Sequence, residues 1–213
     1  MDNLAGIFIT SFLIGLSGAL MPGPVLTVTI SQVASRGFLA GPLIVLGHGI
    51  LELSLVVAVA LGLGRMITRG PVIGTIAVLG GFFLIYLGYN ILRSLRGLSF
   101  SLQKTSEGPR VLNHPVMAGL LTSLSNPYWT IWWATIGLGY IALSRRMGLL
   151  GLASFFSGHI LSDLSWYSFV ALALTLGKRL INDRIYRGVV GFCGSFLVAF
   201  GLYFGYSGFK MFP

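Results

Sequence analysis

The sequence predicts an all-α integral membrane protein. It reads as six transmembrane helices in two inverted three-helix repeats, with helices 1 and 4 broken at proline. Three observations predict this. First, the 213 residues are 55% hydrophobic and only 9% charged, whereas an ordinary soluble domain is about 25% charged. Second, the apolar residues fall into runs, and six spans of about 20 residues each, with their loops, use up the length. Third, the second half repeats a signature of the first. The chain is therefore expected to be one polytopic domain over 1–213, with repeat one at 4–93, a cytoplasmic loop at 94–113 and repeat two at 114–210.

Span one is expected from about Leu4 to Ser35, and no formal charge lies between Asp2 and Arg36. At 1.5 Å per residue this run is too long for one straight crossing of a core about 30 Å thick. Met21-Pro22-Gly23-Pro24 accounts for the surplus. Each proline lacks an amide hydrogen and clashes with the carbonyl four residues back, so the helix must break there. A break at membrane depth is tolerated where it is buried in protein or lines a cavity. Asp2, with no basic segment before the apolar run, predicts that this span is retained and not cleaved as a signal peptide.

Arg36-Gly37 marks a turn, and span two is expected from about Phe38 to Gly64, with His48 and Glu52 inside it. Arg65 and Arg69 bracket the next turn, and Pro71 suits the start of span three, about Val72 to Leu92. The polar stretch from Arg93 to Asn113 splits the chain. Span four is expected from about Pro115 to Leu143, broken at Asn126-Pro127. Span five, about Gly148 to Leu176, holds His159 and Asp163. A basic turn with Lys178, Arg179, Arg184 and Arg187 precedes span six, about Gly188 to Gly208.

The net charge of +9 comes from basic residues placed between the spans, which is a topology signal and not a nucleic-acid face. With six spans, five basic residues fall on the side of the termini and nine on the other. The positive-inside rule puts the nine in the cytoplasm and both termini outside. Cys193 is the single cysteine, so no intrachain disulfide or cysteine-based metal cluster forms.

The repeat is readable residue by residue. At an offset of 111, Gly37 meets Gly148, Gly47 meets Gly158, His48 meets His159 and Glu52 meets Asp163. The breaks correspond as well, Pro22 with Pro127. Each half has three spans, so the second enters the membrane upside down. Such repeats build many secondary transporters, with the site at their interface.

His48 and Glu52 share a helix face, as do His159 and Asp163. Glu52 and Asp163 are the only carboxylates inside the expected spans. Facing lipid, an ionised carboxylate there costs about 2.5–3.5 kcal/mol, so both are expected to face protein or water. Three roles stay open: binding a coupling proton, pairing a substrate ammonium, or holding a divalent metal with both histidines. In the alternative structural reading, each histidine bonds its own carboxylate and locks helix packing. The half-helix starts after Pro24 and Pro127 offer unpaired N–H groups to a substrate carboxylate. Together these residues suit a zwitterion such as an amino acid.

Other features read as packing. Trp129, Trp132 and Trp133 are expected to be core or interfacial aromatics. Gly37/Gly41 and Gly201/Gly205 have the spacing of close helix contacts, within or between chains. Gln32 and Asn90 are expected to bond between helices, and His114 to sit at the surface. No protease, Ser-His-Asp or nucleotide pattern is present, so neither an enzyme nor a cofactor is expected.

Gly18-Ala19-Leu20-Met21-Pro22-Gly23-Pro24, followed by Arg36-Gly37 and a long apolar span, resembles the LysE/RhtB superfamily, and Asn126-Pro127 matches its second half. The resemblance covers nearly the whole chain. It implies a multi-pass exporter of amino acids or related compounds in the bacterial inner membrane, and it alone sets the direction of transport. Many members of the amino-acid branch carry an aspartate early in span two and lack a His-x-x-x-Glu pair, which this chain has. Related branches move divalent metal cations. Another passes reducing equivalents through a cysteine pair, chemistry that a lone Cys193 does not support. The expected partners are an amino acid, a proton as coupling ion and membrane lipid. The site is expected at Pro22, Gly23, Pro24, His48, Glu52, Asn126, Pro127, His159 and Asp163. The alternative divalent-cation exporter would use His48, Glu52, His159 and Asp163 as ligands.

Overall fold

A computed structural model describes residues 3–63, 70–95, 114–177 and 183–210, and every regular element in them is helical. Helix α1 runs Leu4–Ala19, with Asn3 as N-cap accepting from the Gly6 amide at 2.6 Å. Helix α2 runs Pro24–Arg36 and starts with proline at its first position, where the missing N–H costs nothing. The pair bends by 78° across Leu20–Gly23. Span one is therefore a sharply bent pair and not a kinked rod.

Helix α3, Ala40–Ala58, continues into a π-helical turn at Val59–Leu63, where Gly62 takes φ +105°. Helix α4 spans Gly70–Ser94. The fourth expected span is divided into three helices. They are α5 (Pro115–Leu124), α6 (Pro127–Trp132) and, after a π-helical turn at Trp133–Gly137, α7 (Leu138–Arg145). Helix α8 runs Gly148–Leu176, as the sequence predicts, and α9 runs Asp183–Phe209. Arg184 and Arg187, expected in a turn, lie in the first turns of α9 because the apolar run recruits its flank into helix.

Among the described residues, four helices are long and apolar enough to cross a membrane, or five when the bent pair counts as one span. This is a multi-pass membrane protein. Large apolar side chains such as Leu61, Leu149 and Leu176 are exposed, as a bilayer solvent requires. The 94–113 loop lies almost wholly outside the described residues, as do Arg65, Arg69, Lys178 and Arg179.

The helices pair closely where glycines remove side chains. Helix α1 packs on α8, α3 on α5 and α8, and α4 on α9. A Cβ at Gly47 would run into the Val116 carbonyl of α5, and one at Gly158 into the Phe8 carbonyl of α1. Gly81 and Gly201 meet across α4 and α9 in the same way, each backed within 3.0 Å by the other helix's backbone. Gly37 does something else. Its φ of +82° ends α2 in backbone space that only glycine enters easily, and nothing stands within 4 Å of its Cβ position. Asn90 also departs from expectation. It is exposed and donates to the Tyr86 carbonyl of its own helix at 2.8 Å. His114 is exposed, as the sequence implies.

Candidate functional site

Helices α3 and α8 bring both histidine–carboxylate pairs together deep in the protein. Glu52 is 1% exposed, Asp163 3%, His159 4% and His48 7%. Glu52 is the hub. Its Oε1 lies 2.9 Å from His48 Nε2 and 3.2 Å from His159 Nε2. The same oxygen accepts from Trp133 Nε1 at 3.0 Å and from Trp129 Nε1 at 3.2 Å.

The alternative structural reading, in which each histidine bonds the carboxylate of its own helix, holds for His48 and Glu52 but not for His159, which reaches across to Glu52. His159 is nearer to Glu52 than to Asp163, whose Oδ2 is 3.9 Å away, and His48 Nε2 also lies 3.5 Å from Asp163 Oδ2. A spacing of four puts two residues on one face, but only packing decides which neighbour that face meets.

The two histidines are held differently. Ser123 Oγ of α5 lies 2.6 Å from His48 Nδ1 and 2.7 Å from the Gly119 carbonyl. When the Ser123 hydroxyl donates to Nδ1, a neutral imidazole donates Nε2–H to Glu52; when Nδ1–H donates to Ser123, the short Nε2···Oε1 contact holds a further proton, on the imidazole or on the carboxyl. His159 Nδ1 has no hydrogen-bond partner. The ring is clasped by aromatics, stacked on Trp132 at 4.7 Å and edge-on to Trp133 at 5.3 Å. Gly15 of α1 leaves room for it, since a Cβ there would sit 2.8 Å from Nδ1.

The cluster opens on a cleft with about 610 Å³ of space between its walls, counted out to its open side. Pro22, Gly23, Pro24, His48, Glu52, Asn126, His159 and Asp163 all line it. Pro127 is buried behind the wall, its ring 2.9 Å from a Cβ position at Gly80 of α4.

The two broken helices present unequal ends. Helix α2 has no side-chain cap, and Val25 in its first turn lines the cleft. At α6 the Asn126 side chain accepts from the Tyr128 amide at 3.1 Å. The half-helix start after Pro127, expected to be open to a substrate, is thus already capped by its own asparagine.

Trp132 and Trp133 are core aromatics with Trp129 packed against them, as expected, and Trp129 and Trp133 have a second role, since both indole N–H groups serve Glu52. Their spacing of four, directly after the Asn126-Pro127 break, was the available signal. Gly137 makes room for Trp133, whose ring a Cβ at that position would strike. Ser123, a small polar residue in an apolar helix, carried no signal of its own.

The match to known families decides the identity. The model of the LysE type translocators matches residues 16–208. The chain belongs to that family. A putative amino acid efflux protein of Bacillus subtilis, YcgF, is 28% identical over 206 residues, covering 96% of this chain and 97% of its own. The threonine efflux proteins of Salmonella typhimurium and Escherichia coli K12 are 25% and 23% identical, each match covering 92% of this chain and 96% of the relative. No solved structure matches.

Proposed function

We propose that this LysE-family protein exports amino acids or similar small zwitterions across the cytoplasmic membrane, with inward proton movement as the driving force. The observation that carries the reading is the buried His48–Glu52–His159–Asp163 cluster opening on a cleft at the α1/α2 break. A carboxylate that shares one oxygen between two histidines gains or loses a proton at small structural cost, which is what coupling needs. The uncapped start of α2 adds a place for a carboxylate. The efflux relatives supply the substrate class and the direction.

The same reading takes the chain as one domain of six spans in two inverted repeats. The bent pair α1–α2 would be span one, and the divided run α5–α7 span four. Gly37 and Gly148, aligned by sequence, both take positive φ, +82° and +67°. Gly47 and Gly158 both seat a carbonyl of the other half's first helix. These correspondences support the repeat. Alternating access would then be one half rocking against the other, with Pro22–Pro24 and Asn126–Pro127 shaping the hinge regions and both termini outside.

A divalent cation is the second reading. His48, Glu52 and Asp163 offer ligand atoms within 4.8 Å of one another. Against it, two indole N–H groups point at Glu52 Oε1, which leaves only Oε2 of that carboxylate for a metal.

The deciding experiment loads proteoliposomes with labelled amino acids and imposes a pH gradient, acid outside. Gradient-dependent loss of particular amino acids is expected. Retention of every amino acid by folded, inserted protein, with release of a divalent cation from the same vesicles, would transfer the assignment to metals.

A further inference from the structure

The cleft holds buried polar atoms that its own walls leave without partners. Glu52 Oε2 makes no hydrogen bond, Asp163 Oδ2 makes none either, standing 3.5 Å and 3.9 Å from the two imidazole Nε2 atoms, and Trp132 Nε1 makes none. All three residues line the cleft, and all are more than nine-tenths buried. Buried polar groups are ordinarily paired, so a set of orphans around one cavity describes the complement that belongs there. Two are acceptors with negative charge. The third is a donor only.

The acceptors and the donor take different parts of a ligand. Glu52 Oε1 is consumed by its four nitrogen neighbours, which leaves Oε2 and Asp163 Oδ2 for a ligand ammonium. Trp132 Nε1 is the indole atom nearest Gly18, 3.6 Å from that residue's Cβ position, on the side where α1 ends and α2 begins. A ligand carboxylate there meets the indole N–H, in a cleft that the uncapped first turn of α2 also lines.

The remaining wall sets the side chain. Beyond the four residues of the cluster, no charged side chain lines the cleft among the described residues. Phe196 and Phe200 stack at 4.3 Å on one wall, Phe200 and Tyr128 pack against the same buried cluster of Leu84, Leu197 and Phe204, and Met21 and Val25 lie near the break. A charged side chain on the ligand would be buried against these groups unpaired, which is costly. An apolar one would be buried favourably, and an aromatic one would also stack.

We propose that the substrates are α-amino acids with apolar side chains, above all aromatic and large aliphatic ones, held by Asp163 at the ammonium and by Trp132 at the carboxylate. This rests on the amino-acid export reading and narrows it. It also separates two carboxylates that spacing alone made equivalent: Glu52 shares its Oε1 with the histidines and keeps only Oε2 for the ammonium, while Asp163 is the principal ammonium contact.

Calorimetry on the purified full chain tests it with four amino acids and two fragments. L-phenylalanine and L-leucine are expected to bind at least ten-fold more tightly than L-threonine and L-lysine. Asp163→Asn should weaken L-phenylalanine and phenethylamine about ten-fold while leaving 3-phenylpropionate unchanged. Trp132→Phe, which keeps the ring and removes the N–H, should weaken L-phenylalanine and 3-phenylpropionate and spare phenethylamine. A protein only destabilised by either change would lose all three ligands alike, and that result overturns the assignment of the two ends. Threonine or lysine binding as tightly as phenylalanine overturns the side-chain class but leaves amino-acid export standing. No binding of any amino acid, with no efflux from vesicles, removes both.

Discussion

Replacing Glu52 by glutamine removes one charge and almost no volume. Four nitrogens approach its Oε1 within 3.2 Å: His48, His159, Trp129 and Trp133. The amide oxygen of Glu52→Gln still accepts from the two indoles, so the wall of the cleft keeps its shape. Both imidazole contacts lose their charged partner. Hydrogen bonds to a charged group contribute about 1.5–3 kcal/mol and neutral ones about 0.5–1.5. Each contact therefore weakens by roughly 1–1.5 kcal/mol, and the pair by about 2–3 kcal/mol. At 1.4 kcal/mol per tenfold, the occupancy of the proton site shifts roughly thirty- to hundred-fold. The assay is pH-gradient-driven efflux from proteoliposomes, normalised to inserted protein. Efflux is expected to fall at least ten-fold while yield and elution on gel filtration stay near wild type. Efflux within two-fold of wild type would refute the coupling role of Glu52. Glu52→Ala is the contrasting control. It leaves two histidines and two indole N–H groups without their acceptor, and breaking a buried pair in this way costs about 3–5 kcal/mol, so loss of folded protein is expected in a thermal unfolding assay.

Ser123→Ala leaves His48 Nδ1 without its 2.6 Å partner, and the orphaned buried group should cost about 1–3 kcal/mol in thermal stability. Gly119→Ala puts a methyl into the Ile44 carbonyl of α3, and little folded protein should survive on size-exclusion chromatography. Asn126→Ala removes the cap from the Tyr128 amide and should lower stability by about 0.5–2 kcal/mol, read as a lower melting temperature. Transport should be indifferent to chelators if the cluster handles protons, and loss of efflux on chelation, restored by one divalent metal, would support the cation reading instead.

The broken helices and the four buried titratable residues were legible because their causes are local. Proline removes a hydrogen bond wherever it sits, and a carboxylate in an apolar run must find protein or water. His48 and Glu52 on one face followed from helical geometry alone. What the sequence hid lies between helices. No spacing rule says that His159 reaches Glu52 at 3.2 Å and stands 3.9 Å from the aspartate on its own helix. Tryptophan is ambiguous for a physical reason: one N–H on a large apolar body packs or donates according to what it meets. Trp129 and Trp133 donate. Asn126 shows the same limit, since an Asn-Pro break reads as an open helix end until the side chain is seen to close it. Span one was recognised as broken, but its 78° bend is set by the helices around it.

In the proposed function, amino-acid efflux and proton entry share the Glu52 cluster. Vesicles carrying an internal pH dye and a high internal concentration of transported amino acid test it most directly. With wild-type protein, the outward amino-acid gradient should pull protons in and acidify the lumen, and Glu52→Gln should abolish that acidification. Amino-acid release from the wild type with no acidification, or acidification unchanged in Glu52→Gln, would contradict the account.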